Sequence, residues 1–169
     1  MTETSTSNKR SIPKLIGYFI AMAVLVLLDQ WTKALVLRDL TDGTVVTPLP
    51  DLLQFRYVEN TGAAFSMLTG KTIFLSAVTA VILLIAIVLL ALEKIPGVLN
   101  QVAVVLMVAG GIGNLIDRVF RHYVVDFIEV LFTKFAVFNF ADCCVTIGAV
   151  ILILSTILSF VKDLKSSRD

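Results

Sequence analysis

The sequence contains only one histidine, His122, and only two cysteines, Cys143 and Cys144, which are adjacent in the chain. A multi-histidine metal site is therefore excluded, and adjacent cysteines provide neither a disulfide framework nor the C-x-x-C spacing of a metal or redox motif. Charged residues are also scarce, at 16% of the 169 residues, and the formal net charge is +1. A nucleic-acid-binding protein is excluded because it needs a basic surface, and a disordered protein because it needs low hydrophobicity.

Hydrophobic residues dominate the sequence instead: they make up 57% of it, and the mean hydropathy is +0.93. A helix needs about 20 predominantly apolar residues to cross a hydrocarbon core of about 30 Å. Four runs of about this length lie between the charged residues, at about 13–37, 72–92, 98–118 and 138–161. We therefore predict one α-helical integral membrane domain over residues 1–169, with four transmembrane helices, and not a soluble cytosolic enzyme.

The first apolar run has a second interpretation, as the apolar part of a cleaved secretory signal peptide. Lys9, Arg10 and Lys14 precede the run in the manner of a basic n-region. No small-residue cleavage pattern follows Leu28, because the sequence continues with Asp-Gln-Trp-Thr-Lys and then more apolar residues. A retained membrane span is therefore the favoured interpretation.

The order of the spans determines which loops share a side of the membrane. Glu93–Gly97 contains a proline and a glycine and is short enough for a tight antiparallel hairpin between the second and third spans. Strict alternation then places the loops 38–71 and 119–137 on one side and both termini on the other. The Lys and Arg residues divide equally between the two sides, but those on the terminal side lie in shorter segments. This distribution favours cytoplasmic termini and extracytoplasmic loops.

The long first loop contains patterns that are typical of strands. Residues 43–47 and 52–58 are rich in β-branched and aromatic side chains and are separated by Pro48 and Pro50. These two segments predict a small extracytoplasmic β-sheet on the membrane surface. Residues 62–68, with the sequence Gly-Ala-Ala-Phe-Ser-Met-Leu, predict a short interfacial helix after the sheet.

Polar and ionisable residues in or beside the spans collect on the side of the two long loops. Each ionisable group costs about 2.5 to 3.5 kcal/mol at the centre of a membrane helix, so its position carries information. Here such residues lie at the ends of the first and third spans, at the start of the fourth, and in both loops. They are Asp29, Lys33, Asn60, Asn114, Asp117, Arg118, Asp126, Asn139 and Asp142. The pattern predicts one polar site where the membrane meets water.

Some of these residues also have a purely structural interpretation. Asp29 and Lys33 are spaced i, i+4 with the acid first, which favours an ion pair on one helix. Asn139 followed by Asp142 is typical of an N-cap with an acid in the first helical turn, where the helix dipole favours a negative charge. Structure alone therefore explains both pairs without any catalytic role.

Small and polar residues recur along the third span. Gly110, Gly111 and Gly113 favour the close approach of a neighbouring helix, and they form no phosphate loop because no Lys-Ser/Thr pair follows them. Gly110, Asn114 and Arg118 lie on one helix face by i, i+4 spacing. We predict that this polar stripe faces the interior of the helix bundle.

The residues alone leave several chemistries and protein classes open. Cys143 beside Asp142 could act as a thiol nucleophile with His122 as its base, and a Ser-Lys dyad is another enzymatic alternative. A small transporter or proton pathway is a second class, because intramembrane Asp, Lys and Arg also mark ion routes. A transporter is expected to carry charges near mid-bilayer and to contain internal repeats, and this sequence has neither pattern. A non-enzymatic membrane scaffold is a third class.

Five sequence blocks together resemble those of one family, bacterial lipoprotein signal peptidase, also called signal peptidase II. The blocks are Asp29–Lys33, Asn60–Phe65, Gly110–Arg118, Val124–Ile128 and Phe138–Asp142. They occur in the family's order, and the resemblance extends from about residue 14 to 161. It implies a multi-pass aspartic endopeptidase of the bacterial inner or plasma membrane. Such an enzyme removes the signal peptide from diacylglyceryl-modified prolipoproteins by cutting just before the lipidated cysteine.

The resemblance also implies roles for individual residues, with Asp126 and Asp142 as the catalytic dyad. The residues implied to support the dyad or to bind substrate are Asp29, Lys33, Asn60, Gly110, Asn114, Arg118, Asn139 and Ala141. No metal or other cofactor is implied, and the expected partners are prolipoproteins and membrane lipids, with the protein itself a monomer. The small sheet would form an extracytoplasmic cradle and the interfacial helix a lid. Cys143 and Cys144 depart from the serine or alanine expected at their positions.

Two neighbouring carboxylates are suited to peptide hydrolysis, because one can take a proton from water while the other donates one to the carbonyl oxygen. At about 4 Å and an effective dielectric constant near 20, two full charges repel by roughly 4 kcal/mol, so such a pair shares a proton near neutral pH. We expect Asp142, in the first turn of the fourth helix, to be the base. Asp126, expected on a mobile loop, would be the acid.

Overall fold

The protein combines four long helices with a three-stranded antiparallel sheet. The computed structural model of the chain describes residues 12–62 and 72–166. Within these residues the helices are α1 (Ile12–Asp39), α2 (Thr72–Ala91), α3 (Val98–Phe120) and α4 (Phe140–Ser166), and the strands are β1 (Val46–Leu49), β2 (Leu53–Asn60) and β3 (Val124–Val130). All four helices are long and apolar enough to cross a membrane, as the sequence predicted.

Helix α3 lies at the centre of the bundle and packs against the other three helices. The buried side chains that form this core come from α1, α2 and α3, and they are Met22, Leu83, Leu90, Val105, Val108 and Ala109. The outer surfaces of the bundle are also apolar: Leu27, Ile82 and Leu158 are each more than half exposed. Exposing so much apolar surface to water is unfavourable, whereas lipid hydrocarbon accommodates it. The outer faces of the helices are therefore lipid-facing.

Glycines allow α3 and α4 to approach closely. A Cβ atom at Gly110 would overlap the carbonyl oxygen of Ala141 and would lie 2.8 Å from Cγ2 of Val145. Further along the same interface, a Cβ atom at Gly148 would lie 2.6 Å from the carbonyl oxygen of Ala103. The close approach predicted for the third span is therefore confirmed, and it brings the start of α4 against the middle of α3.

The sheet has the strand order β1-β2-β3, and both strand pairs are antiparallel. In the β2–β3 pair, Val58 lies opposite Asp126 and Asn60 lies opposite Val124. This register brings the end of β2, with Asn60, beside Asp126 on the neighbouring strand. The predicted small sheet is therefore present, with one more strand than the first loop alone supplies.

Two details of the predicted sheet were wrong. We expected a strand over residues 43–47 that ended before Pro48, but β1 begins at Val46 and contains Pro48. A proline is tolerated there because β1 is an edge strand. We also treated residues 119–137 only as a loop, although they contain β3. The expected interfacial helix at residues 62–68 lies, apart from Gly62, outside the described residues.

A second apolar cluster attaches the sheet to the helices. Val36 and Leu40, from the last part of α1 and the residue after it, pack with Val125 and Phe127 of β3. Val125 and Phe127 flank Asp126 in sequence, and side chains alternate across a strand. The apolar anchor on one face of β3 therefore directs Asp126 to the other face.

Candidate active site

An ion pair on α1 lies behind the site. Lys33 Nζ is 2.9 Å from Asp29 Oδ2, and both side chains are almost fully buried. The predicted i, i+4 pair is confirmed, and α1 continues past it to Asp39. Lys33 Nζ is also 3.0 Å from Asp117 Oδ2 and donates a hydrogen bond of 2.9 Å to Asn114 Oδ1. All three ammonium donors are thus used, which leaves Lys33 unavailable as the base of a Ser-Lys dyad.

Asp117, which we predicted to lie in the polar site but to which we gave no catalytic or supporting role, has several polar partners. Its side chain is fully buried and pairs with Lys33 and Arg121. It also accepts hydrogen bonds from the Val125 backbone N–H at 3.1 Å and from Gln30 Nε2 at 3.3 Å. The sequence carried a signal for the pair with Arg121 alone: Asp117 and Arg121 have the same i, i+4 acid-first spacing as the pair on α1.

Asn114 links this buried network to Asp142. Its Oδ1 accepts the hydrogen bond from Lys33, and its Nδ2 donates to Asp142 Oδ1 at 2.8 Å. A lysine ammonium can only donate hydrogen bonds, so it fixes which end of the amide faces it. The N–H end of Asn114 is therefore directed at the carboxylate of Asp142.

The start of α4 forms a reciprocal cap. Asn139 Oδ1 accepts the backbone N–H of Asp142 at 2.9 Å, and Asp142 Oδ2 accepts the backbone N–H of Asn139 at 3.2 Å. This arrangement is a capping box, and it confirms the predicted N-cap. Just before it, Phe138 exchanges two backbone hydrogen bonds with Ile128 of β3, at 3.0 and 2.7 Å. These bonds hold the start of α4 beside β3.

Asn139 also contacts Asp126, so one side chain touches both aspartates. Its Nδ2 donates to Asp126 Oδ1 at 2.7 Å and to Asn114 Oδ1 at 3.0 Å. From the other side, Asn60 Nδ2 donates to Asp126 Oδ2 at 2.9 Å. Both carboxylates therefore face amide N–H donors, as expected for groups that carry negative charge in a buried site.

Asp126 lies on strand β3 and is 2% exposed. The expectation that it lies on a mobile loop was wrong, because the apolar cluster of the sheet and pairing with β2 fix this segment. Burial raises the pKa of Asp126 to about 6, and the negative charge of Asp142 acts in the same direction, against the hydrogen bonds from Asn60 and Asn139. A carboxyl with such a pKa can hold a proton in mildly acidic solution.

The other expected site residues lie around this centre. Ala141 is fully buried and donates its backbone N–H to Asp29 Oδ1 at 3.0 Å. Arg118 donates to the carbonyl oxygen of Gly62 at 3.1 Å and lies within electrostatic range of the two aspartates. Gly110 makes its contribution through packing, at the α3–α4 interface.

The two aspartates face a common cavity of about 1220 Å³. Its polar wall includes Asn60, Asn114, Arg118, Asp126 and Asp142, and its apolar wall is formed by α4 and by the segment between β3 and α4. Among the described residues, no three His, Cys, Asp or Glu side chains come together as they would around a metal ion.

The thiol alternative lacks a base in this cavity. Cys143 lies on the cavity wall next to Asp142, whereas Cys144 is buried. His122, the single histidine of the sequence, is exposed in the turn between α3 and β3 and does not line the cavity. The described residues therefore bring Asp126 and Asp142 together at the cavity but no Cys-His pair.

Comparison with known proteins identifies the family. The model of the family described as signal peptidase (SPase) II matches residues 21–158. The lipoprotein signal peptidase of Enterococcus faecalis is 37% identical over 144 residues, which cover 85% of this chain and 89% of that protein. The lipoprotein signal peptidase of Streptococcus pyogenes serotype M6 is 35% identical over 137 residues, covering 81% and 90%.

Solved structures agree with this relationship. A bacterial membrane enzyme determined at 2.3 Å resolution is similar to the chain with a TM-score of 0.80 and 31% identity, over 85% of this chain and 89% of that one. A second bacterial membrane enzyme, determined at 1.9 Å resolution, has a TM-score of 0.75 and 32% identity, over 83% and 92%. The family model covers residues 21–158, which is most of the chain, and the chain therefore belongs to the signal peptidase II family.

Proposed function

We propose that this protein is a membrane-embedded aspartic endopeptidase that removes the signal peptide from diacylglyceryl-modified prolipoproteins, with Asp126 and Asp142 as its catalytic dyad. The observation that carries the proposal is that Asn139 donates to Asp126 while it caps α4, the helix with Asp142 in its first turn, so both carboxylates are held at one cavity. Family membership supplies the reaction class.

In the proposed reaction, the ionised carboxylate removes a proton from water, and the oxygen of that water attacks the carbonyl carbon of the scissile peptide bond. The protonated carboxyl donates its proton to the carbonyl oxygen, which gives a tetrahedral intermediate. The intermediate then collapses: the carboxyl that took the proton from water donates it to the leaving nitrogen as the C–N bond breaks, and the other carboxylate, now ionised, removes a proton from a hydroxyl of the intermediate. Neither step requires a metal or other cofactor.

We assign the base to Asp142 and the acid to Asp126. Asp142 lies at the N-terminus of α4, where the helix dipole and two N–H donors stabilise a carboxylate. Asp126 is the group that burial favours in its protonated form. Asn60, Asn114 and Asn139 would orient the two carboxyl groups for the transfer.

This assignment predicts a pH dependence. An acid must be protonated to act, so kcat/KM is expected to fall as the pH rises through the pKa of Asp126, which is about 6. Bound substrate excludes water from the cavity and favours the neutral form further, so the same limb in kcat is expected at higher pH. Initial rates from pH 4 to 9 would measure this fall with rising pH in both kcat/KM and kcat. A kcat/KM that rises across pH 6 to 7 would contradict Asp126 as the acid.

The position of the dyad suits a lipidated substrate. The cavity joins the charged face of the sheet, with Arg56 and Glu129, to the apolar face of α4, with Val145 and Ile147. We propose that acyl chains and signal peptide lie along the apolar part, within reach of bilayer lipids. The peptide beyond the cysteine would cross the sheet. In this arrangement both termini are cytoplasmic and the dyad lies at the extracytoplasmic face.

A pair of matched peptides tests the proposal. One carries a diacylglyceryl group on the lipobox cysteine and the other has the same sequence without the lipid. We expect cleavage of the lipidated peptide just before the cysteine, at a kcat/KM at least about 100-fold higher, because the lipid contributes binding energy that the other peptide lacks. Mass spectrometry of the products in detergent would identify the bond. Cleavage elsewhere, or equal cleavage of both peptides, would overturn the proposed specificity.

A further inference from the structure

We propose that Asp29, Lys33 and Asp117 form a clamp that sets the spacing of the catalytic aspartates, and that Asp117 is a positioning residue for the reaction. The proposal rests on the proposed function, because it concerns the same dyad. It adds a role for Asp117, which lies behind the dyad and outside the substrate cavity.

The first arm of the clamp holds Asp126. Asp117 Oδ2 accepts the backbone N–H of Val125 at 3.1 Å, and Val125 immediately precedes Asp126. Asp117 and Val125 are both fully buried. A hydrogen bond at this position limits how far the backbone of β3 can move beside Asp126.

The second arm holds Asp142 in the same way. Asp29 Oδ1 accepts the backbone N–H of Ala141 at 3.0 Å, and Ala141 immediately precedes Asp142. Each catalytic aspartate therefore follows a residue whose N–H is bound by a buried carboxylate of the clamp. The two arms come from different helices, Asp29 from α1 and Asp117 from α3.

Lys33 joins the two arms. Its ammonium lies 2.9 Å from Asp29 and 3.0 Å from Asp117, and Gln30 Nε2 also bridges the two carboxylates, at 3.1 and 3.3 Å. With Arg121 on the outer oxygen of Asp117, the group contains two negative and two positive charges. The clamp and Arg121 together are therefore neutral, which offsets part of the cost of burying their charges.

This geometry matters because the spacing of two carboxylates controls how they share a proton. Widening such a pair from about 4 Å to about 5 Å, at an effective dielectric constant near 20, weakens the repulsion of the two charges and lowers the pKa of the second ionisation by about 0.6. A misplacement of about 1 Å can also cost about 100-fold in rate. A clamp that has loosened should therefore alter both the rate and the pH profile.

Asp117→Asn tests the clamp, because it removes the charge but keeps the shape of the side chain. We expect kcat for the lipidated peptide to fall about 10- to 100-fold with KM within about twofold, since the cavity that binds substrate is untouched. The upper limb of the pH profile, on which kcat falls as the pH rises, should shift to lower pH by about half a unit. Asp39→Asn is the matched control, because Asp39 is exposed and pairs only with Arg38 among the contacts of its side chain.

A purely structural role for Asp117 makes a different prediction. Less enzyme would then fold, but the folded fraction would keep the wild-type pH profile and kcat per active site, and that result would overturn the proposal. If Asp117→Asn does not fold, Arg121→Gln loosens the same carboxylate from a position that is 27% exposed, and the same shift in the upper limb is expected. Unchanged profiles in both Arg121→Gln and Asp29→Asn would also reject the clamp.

The outcome can be separated from a failure of the proposed function. Turnover that persists in both Asp126→Asn and Asp142→Asn would reject the dyad and, with it, the clamp. Loss of turnover in those variants, combined with a wild-type kcat and pH profile in Asp117→Asn, would leave the dyad intact and reject the clamp alone.

Discussion

Asparagine in place of either Asp126 or Asp142 is expected to lower kcat for a lipidated peptide by about 1000-fold or more, while the free energy of unfolding falls by only about 1 to 3 kcal/mol. The amide has the size of the carboxyl group, but each carboxylate accepts hydrogen bonds on both oxygens and the amide can accept on one, so one N–H donor loses its partner. The amide can neither remove a proton from water nor donate an acidic one. The loss should therefore appear in kcat, with substrate binding retained.

The two variants are also expected to be non-additive. The acid and the base act in one step, so the double variant should be about as slow as each single variant. Single-turnover rates with excess enzyme would measure the chemical step directly. Asp51→Asn is a suitable control, because Asp51 is an exposed carboxylate in the β1–β2 turn with a positive φ that asparagine also tolerates.

Several results would contradict the dyad. Full turnover in either variant would remove that aspartate from the chemistry. A loss matched by a large fall in melting temperature would indicate a folding role, because both carboxylates also accept hydrogen bonds from buried amides. Labelling of Cys143 that abolished turnover in the wild type, with both aspartate variants active, would instead favour a thiol mechanism.

The membrane helices and the cap of α4 could be predicted from local patterns. Apolar runs of membrane length have few alternative structures, and the predicted runs lie within α1 to α4, give or take one or two residues. Asn139 and Asp142 are three residues apart, so their cap depends only on local geometry. Patterns of this kind need no knowledge of the rest of the fold.

Strand β3 and the role of Asp117 could not be predicted in the same way. Asp126 interrupts the apolar run of β3, and what keeps that segment in a sheet is pairing with β2, which is distant in sequence. On α3, Gly110, Asn114 and Arg118 were predicted as one stripe. A second stripe three residues later, Gly113, Asp117 and Arg121, faces the ion pair of α1. Only the packing of α1 against α3 shows that the two stripes serve different neighbours.

Lys33→Met is expected to be the most destabilising of the variants discussed, by about 3 to 5 kcal/mol in the free energy of unfolding. Lys33 is fully buried and is the cation shared by Asp29 and Asp117. Methionine fills a similar volume but leaves the two carboxylates without their shared cation. Asp117 still has Arg121, whereas Asp29 keeps no cationic partner among the contacts described for it.

This asymmetry predicts which second substitution rescues the protein. Adding Asp29→Asn to Lys33→Met removes the unpaired charge and leaves the neutral pair Asp117–Arg121, so the double variant should recover at least about 2 kcal/mol over Lys33→Met. Adding Asp117→Asn instead leaves Asp29 unpaired and should recover much less. Thermal unfolding in one detergent would rank the three proteins. Equal recovery by both second substitutions would mean that loss of packing or hydrogen bonds, rather than an unpaired buried charge, causes the destabilisation. If Lys33→Met alone were as stable as wild type, the buried ion network would contribute little to folding.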